Sequence, residues 1–112
     1  MSLELRGQCC LRKVQKLSEQ RIDQLSAQLQ SNWTVNPENQ TLVCSFNFNN
    51  YHETMAFVNA VAWISHQQDH HPDLQVSYNR CMVNLTTHSV DGLSDNDFIC
   101  ADLIDQLFNA CK

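Results

Sequence analysis

The sequence predicts an α+β fold in the order αββαββα, a four-stranded antiparallel sheet with three helices on one face. Three observations carry it. Two windows hold apolar residues at helical spacing with a third, apolar nearly all round, between them; two runs alternate apolar with polar; and the extended runs fall as two hairpins with a helix between them. Hairpins separated by helices give an antiparallel sheet covered on one side, leaving the other face open.

The first helix is read over Ser18 to Ser31, with Ile22, Leu25 and Leu29 on one face. Ser18 is its N-cap, and Glu19 and Asp23 lie near the positive end of its dipole. Trp33 to Val35 and Thr41 to Phe48 flank the turn-rich Asn36-Pro37-Glu38-Asn39, and Leu42, Cys44, Phe46 and Phe48 alternate with polar residues to give one buried face. Asn50 with Glu53 makes a capping-box-like start for a second helix, which runs to about Gln67 before Pro72 forbids continuation. From Met55 to Ile64 only Asn59 is polar, so this helix is apolar nearly all round and calls for a second cover, a partner subunit. Leu74 to Tyr78 and Arg80 to His88 form the second hairpin around Asn79-Arg80, with His88 leaving on the more polar face. Ser94-Asp95-Asn96-Asp97 caps the last helix, whose stripe is Phe98, Ala101, Ile104, Leu107 and Phe108.

The chain of 112 residues suits one domain, 1–112, with 1–16 as a loosely ordered N-terminal extension. No apolar run approaches the roughly 20 residues of a membrane span, and Met1 to Lys16 lacks the pattern of a secretory signal. A soluble, cytoplasmic protein is expected. The net charge of −5 argues against a nucleic-acid surface, which needs clustered Lys and Arg. Cys9, Cys10, Cys44, Cys81, Cys100 and Cys111 show no Cys-x-x-Cys spacing and are expected to be reduced, several as small core residues.

Four of the five histidines, His66, His70, His71 and His88, fall at element ends; His52, at a helix start, is read as a solvated bystander. Pro72 drives His71 out of the helical region, so His70 and His71 occupy a bend with diverging rings. Adjacent imidazoles resist double protonation, which favours one neutral base beside one acid. Two other readings stand beside proton transfer. The residues could be loop histidines without a role, or His66 and His70, spaced i, i+4, could ligate a metal with His71 or His88, although the Glu of His-Glu-x-x-His is missing.

The run His66, three residues, His70-His71-Pro72, five residues, Tyr78, nine residues, His88, eight residues, Asp97 resembles the signature of the pterin-4a-carbinolamine dehydratases, also known as dimerisation cofactors of a homeodomain transcription factor. The resemblance extends from Leu17 through Trp33, the apolar middle helix, Thr87-His88 and Gly92-Leu93-Ser94. It implies the same sheet with three helices, a homotetramer, and metal-free catalysis with no cofactor beyond the pterin substrate. By position it makes His70, His71 and His88 catalytic and gives Trp33, His66, Pro72 and Asp97 binding or supporting roles. His66 stands where many relatives carry Glu, and Asn96 where some carry Arg.

The implied reaction is loss of water from 4a-hydroxytetrahydropterin to give quinonoid dihydropterin, in tetrahydrobiopterin recycling that serves an aromatic amino acid hydroxylase where the host has one. A proton must reach the departing 4a hydroxyl and another must leave N5, and imidazole does either near neutral pH. The lack of a Gly-rich phosphate loop suits a bicyclic substrate without phosphate. The alternative is a helix-mediated protein-interaction module, a transcriptional cofactor, which has no physical need for the full histidine set.

Overall fold

A computed structural model describes residues 7–38 and 40–110, so Asn39 and Cys111 lie outside the described residues. The elements run α1 (Glu19–Ser26), β1 (Thr34–Asn36), β2 (Thr41–Asn47), α2 (Tyr51–Gln68), β3 (Asp73–Ser77), β4 (Arg80–Leu85), a 3-10 turn (His88–Val90) and α3 (Asp95–Ala110). The strands form one antiparallel sheet in the order β1-β2-β4-β3. The predicted α+β architecture is therefore the observed one.

Register explains why one face is covered. Leu42 pairs with Leu85, Cys44 with Val83 and Phe46 with Cys81, and all six side chains are buried. A slip of one residue would turn all three pairs to solvent, so the alternation fixes the pairing. Against this face α2 lays Thr54, Phe57, Val61 and Ser65, a single helical stripe. Phe46, Phe48, Phe57 and Phe108 pack ring against ring, with Trp33 edge-on to Phe46 at 5.8 Å between centroids. Truncating Phe57 would cost about 3–5 kcal/mol.

Three local outcomes differ from the sequence reading. α1 ends at Ser26 rather than Ser31, because the amides of Gln30 and Ser31 are drawn to the Asp105 carboxylate at 3.0 and 3.3 Å. β4 ends at Leu85, short of His88, because Thr87 pairs with Gly92 in a tight loop closed by Thr87 N–H to Gly92 carbonyl at 2.9 Å. The helix buried on nearly all sides is α3, where every residue from Asn96 to Asp102 is buried. Cys10 and Leu11 of the N-terminal segment, whose residues 1–6 lie outside the described residues, supply part of that cover. Asn96 clamps Leu11, its Nδ2 donating to the Leu11 carbonyl and its Oδ1 accepting the Leu11 amide, both at 2.8 Å. The Cys10 amide donates to Gln68 Oε1 at 2.7 Å.

Candidate active site

Termination of α2 creates the site. Asp69 adopts the left-handed conformation at φ 51, ψ 42, the His70 amide reaches back to the Ser65 carbonyl at 3.2 Å, and the Asp69 amide reaches the His66 carbonyl. This pair of bonds is a Schellman motif with Asp where glycine is commonest. It turns His70 off the helix axis, so the i, i+4 spacing of His66 and His70 does not become a shared helical face. Instead His66 is exposed, its ring 5.8 Å from that of Trp63.

His70 Nε2 lies 2.7 Å from Oδ1 of Asp97, a fully buried carboxylate in the first turn of α3. The second oxygen of Asp97 accepts the Thr87 hydroxyl at 2.7 Å and the Ser94 amide at 3.0 Å. Thr87 and Ser94 hydroxyls are themselves 2.7 Å apart, and Ser94 Oγ accepts the Asn96 amide. A buried carboxylate needs such donors, and here they come from both the β4 end and the helix cap. The Ser94 to Asp97 spacing is a capping box, with the Asp also serving as anchor for the histidine.

Burial opposes charge on His70, but the hydrogen bond and the charge of Asp97 outweigh it and raise its pKa above 6.5. With Nε2 turned to Asp97, Nδ1 is the nitrogen left to exchange a proton. Ring orientation by a buried carboxylate is a recurrent way to prepare an imidazole for acid–base work.

The other predicted residues are distributed unevenly. His71 is exposed at the bend before Pro72, which is half-buried ahead of β3. His88 is exposed and opens the 3-10 turn directly after Thr87, so the Asp97 network anchors the backbone beside it as well. Trp33 lies elsewhere: its indole N–H donates to Asp105 Oδ1 at 3.0 Å. Asp105 is eight residues beyond Asp97 on α3, about 12 Å along the helix axis. A polar cavity of about 240 Å³ is lined by His70, Thr87, Ser89 and Gln68 together with Cys10 and Arg12 of the N-terminal segment. Cys10, Gln68, Thr87 and Ser94 were not singled out for the site from sequence; Ser94-x-x-Asp97 was legible as a cap, the rest only through contacts 58 or more residues apart in the case of Cys10. Among the described residues no three His, Cys, Asp or Glu side chains form a metal-ligating group.

The family profile described as Pterin 4 alpha carbinolamine dehydratase matches residues 15–107. A protein of Nitrosospira multiformis assigned as a pterin-4-alpha-carbinolamine dehydratase is 58% identical over 92 residues, spanning 82% of this chain and 79% of the relative. One of Legionella pneumophila with the same assignment is 50% identical, over 81% of this chain and 80% of its own. Among solved structures, a transcriptional coactivator/pterin dehydratase from Brucella melitensis superposes with a TM-score of 0.75 at 27% identity, covering 86% of this chain and 97% of that one. A pterin dehydratase-like protein identified as a RuBisCO assembly factor in the alpha-carboxysome, 22% identical with a TM-score of 0.61 over 70% of this chain and 90% of its own, shares the fold.

Proposed function

The chain belongs to the pterin 4 alpha carbinolamine dehydratase family, and from that premise we propose that it is a hydro-lyase that dehydrates 4a-hydroxytetrahydropterin by histidine acid–base catalysis. The observation that supports this most is the His70–Asp97 contact of 2.7 Å. A raised pKa keeps more of His70 protonated at neutral pH, which suits it to deliver a proton from Nδ1 to the departing 4a hydroxyl. The N5 proton is then taken by His71 or His88, both exposed. In this reading Asp97 positions His70, Pro72 fixes the bend, and His66 tunes the surroundings from the last turn of α2. The chemistry uses no metal and no cofactor beyond the pterin.

The biological setting in this proposal is tetrahydrobiopterin recycling in the cytoplasm, beside an aromatic amino acid hydroxylase. A dehydration assay on freshly generated 4a-hydroxytetrahydropterin tests the activity directly. Turnover above the spontaneous rate, unaffected by chelator, is expected; turnover indistinguishable from it would refute the proposal.

A second reading, association through α2 and β3, is favoured by four exposed rings and side chains. Trp63 is 61% exposed, Tyr78 63%, Tyr51 53% and Val76 42%, and Tyr51 and Tyr78 stack on one another. A surface of this kind fits a homotetramer and is compatible with catalysis.

A further inference from the structure

Cys10 and Cys100 are ninety residues apart in sequence, yet their sulfurs lie 3.5 Å apart. Cys10 comes from the N-terminal segment and Cys100 from the buried side of α3, one turn beyond Asp97. Three contacts hold Cys10 in place: its amide donates to Gln68 Oε1, its thiol donates to the Asn96 carbonyl at 3.7 Å, and its neighbour Leu11 is clamped by Asn96. A disulfide has an S–S length of about 2.05 Å, so the two sulfurs need to approach by about 1.5 Å. A segment without regular secondary structure can supply that movement, whereas two helices packed in a core cannot.

We propose that Cys10 and Cys100 form a peroxide-oxidisable dithiol, closing to a disulfide that pins the N-terminal segment to α3 beside the His70 cavity. The pair divides the labour by environment. Cys10 is only half-buried and lines the polar cavity, while Cys100 is buried. The Cys100 thiol hydrogen-bonded to the Cys10 sulfur, aided by nearby His70 and opposed by burial, lowers the Cys10 pKa; the same contact and burial raise that of Cys100. Cys10, the more accessible and more readily ionised of the two, is thus the sulfur that meets the oxidant once its thiol proton has left the Asn96 carbonyl.

The Cys10 thiolate attacks one peroxide oxygen and breaks the O–O bond, giving Cys10 sulfenic acid and hydroxide, which takes up a proton as water. The Cys100 sulfur then attacks the Cys10 sulfur, forming the S–S bond and releasing the sulfenic oxygen as a second water with the Cys100 proton. Both sulfurs are oxidised and the peroxide is reduced, two electrons in all. Reduction by a small dithiol reverses the bond.

The experiment treats the full chain with hydrogen peroxide, then denatures and alkylates it without reductant. Untreated protein should take six alkyl groups, one on each cysteine. Treated protein should lose two of these sites per chain, with a Cys10–Cys100 linked peptide by mass spectrometry, and recover them with dithiothreitol. Amide exchange at Leu11 and the residues after it should slow in the oxidised form. Cys9→Ser should still lose two thiols and Cys10→Ser none, whereas Cys100→Ser should form no linked peptide and lose one site, as Cys10 sulfenic acid. Cys10→Ser lies outside the helices and keeps the test available if Cys100→Ser fails to fold. No thiol loss, a link through Cys9 or any other cysteine, a link between two chains, or sulfinic acid on Cys10 in place of the disulfide would overturn the proposal.

Discussion

Asp97 carries two functions through its two oxygens: Oδ1 holds His70 at 2.7 Å, and Oδ2 ties the end of β4 to the start of α3 through Thr87 and Ser94. The same carboxylate therefore sets the orientation of one imidazole and the position of the loop that carries another, His88.

Replacing Asp97 by Asn removes the charge while keeping the side chain's shape. The His70 pKa should fall from its raised position, because burial is then opposed only by the weaker effects of Cys10 and Asp69. Histidine NMR titration of the wild type and the variant reads this directly; an unchanged titration would detach His70 from Asp97. Stability should also drop, by about 3 kcal/mol or more, since the amide nitrogen confronts donors in a buried network.

The raised pKa of His70 fixes a sign for the pH dependence of folding. Protonated His70 is favoured in the folded chain, so its contribution is fully present below 6.5 and is lost as pH rises through the raised folded value. Urea unfolding across that window should show wild-type stability falling relative to His70→Gln as pH rises. A difference between the two that stays flat, or grows with pH, contradicts the assignment.

Alanine at His70 or at His88 should lower dehydration turnover by about a hundredfold or more with the fold retained, and the double variant should lose less than the product. His66→Glu, altering an exposed residue whose ring lies tilted beside Trp63, should cost far less. Circular dichroism beside single-turnover kinetics distinguishes loss of chemistry from loss of structure.

Asp105→Ala should destabilise the chain without touching the histidines. It removes the acceptor shared by the amides of Gln30 and Ser31 and the Trp33 indole N–H, three partly buried donors whose hydrogen bonds contribute about 0.5–1.5 kcal/mol each, more for a charged acceptor. A loss of about 1–3 kcal/mol in denaturant unfolding is expected.

Association and folding separate on α2. Val61 is fully buried against the sheet, so Val61→Asp should unfold the chain, whereas Trp63→Asp, at an exposed position, should leave a folded protein of smaller size. Sedimentation of the two variants checks both outcomes; a wild type that sediments as a monomer at micromolar concentration would remove the basis for the second.

The sequence by itself determined the sheet and its helices, because strand alternation and helical spacing are local and each has one face to bury. Leu42, Cys44 and Phe46 could be assigned inward from their spacing alone, as could the caps at Ser18 and Asn50, whose partners Arg21 and Glu53 lie three residues on. The histidine motif was legible for the same reason: it is a spacing. Element ends were not, since Asp105 shortens α1 from 74 residues away in sequence and the Thr87–Gly92 pairing takes His88 out of the strand. Trp33, to which the resemblance gave a pocket role by position, is half-buried against the edge of the core with its indole N–H on Asp105. The approach of Cys10 to Cys100 and the clamp of Asn96 on Leu11 left no periodic trace, because a side chain that meets an irregular segment 85 or 90 residues away answers to packing and hydrogen-bond satisfaction, which only the folded chain decides.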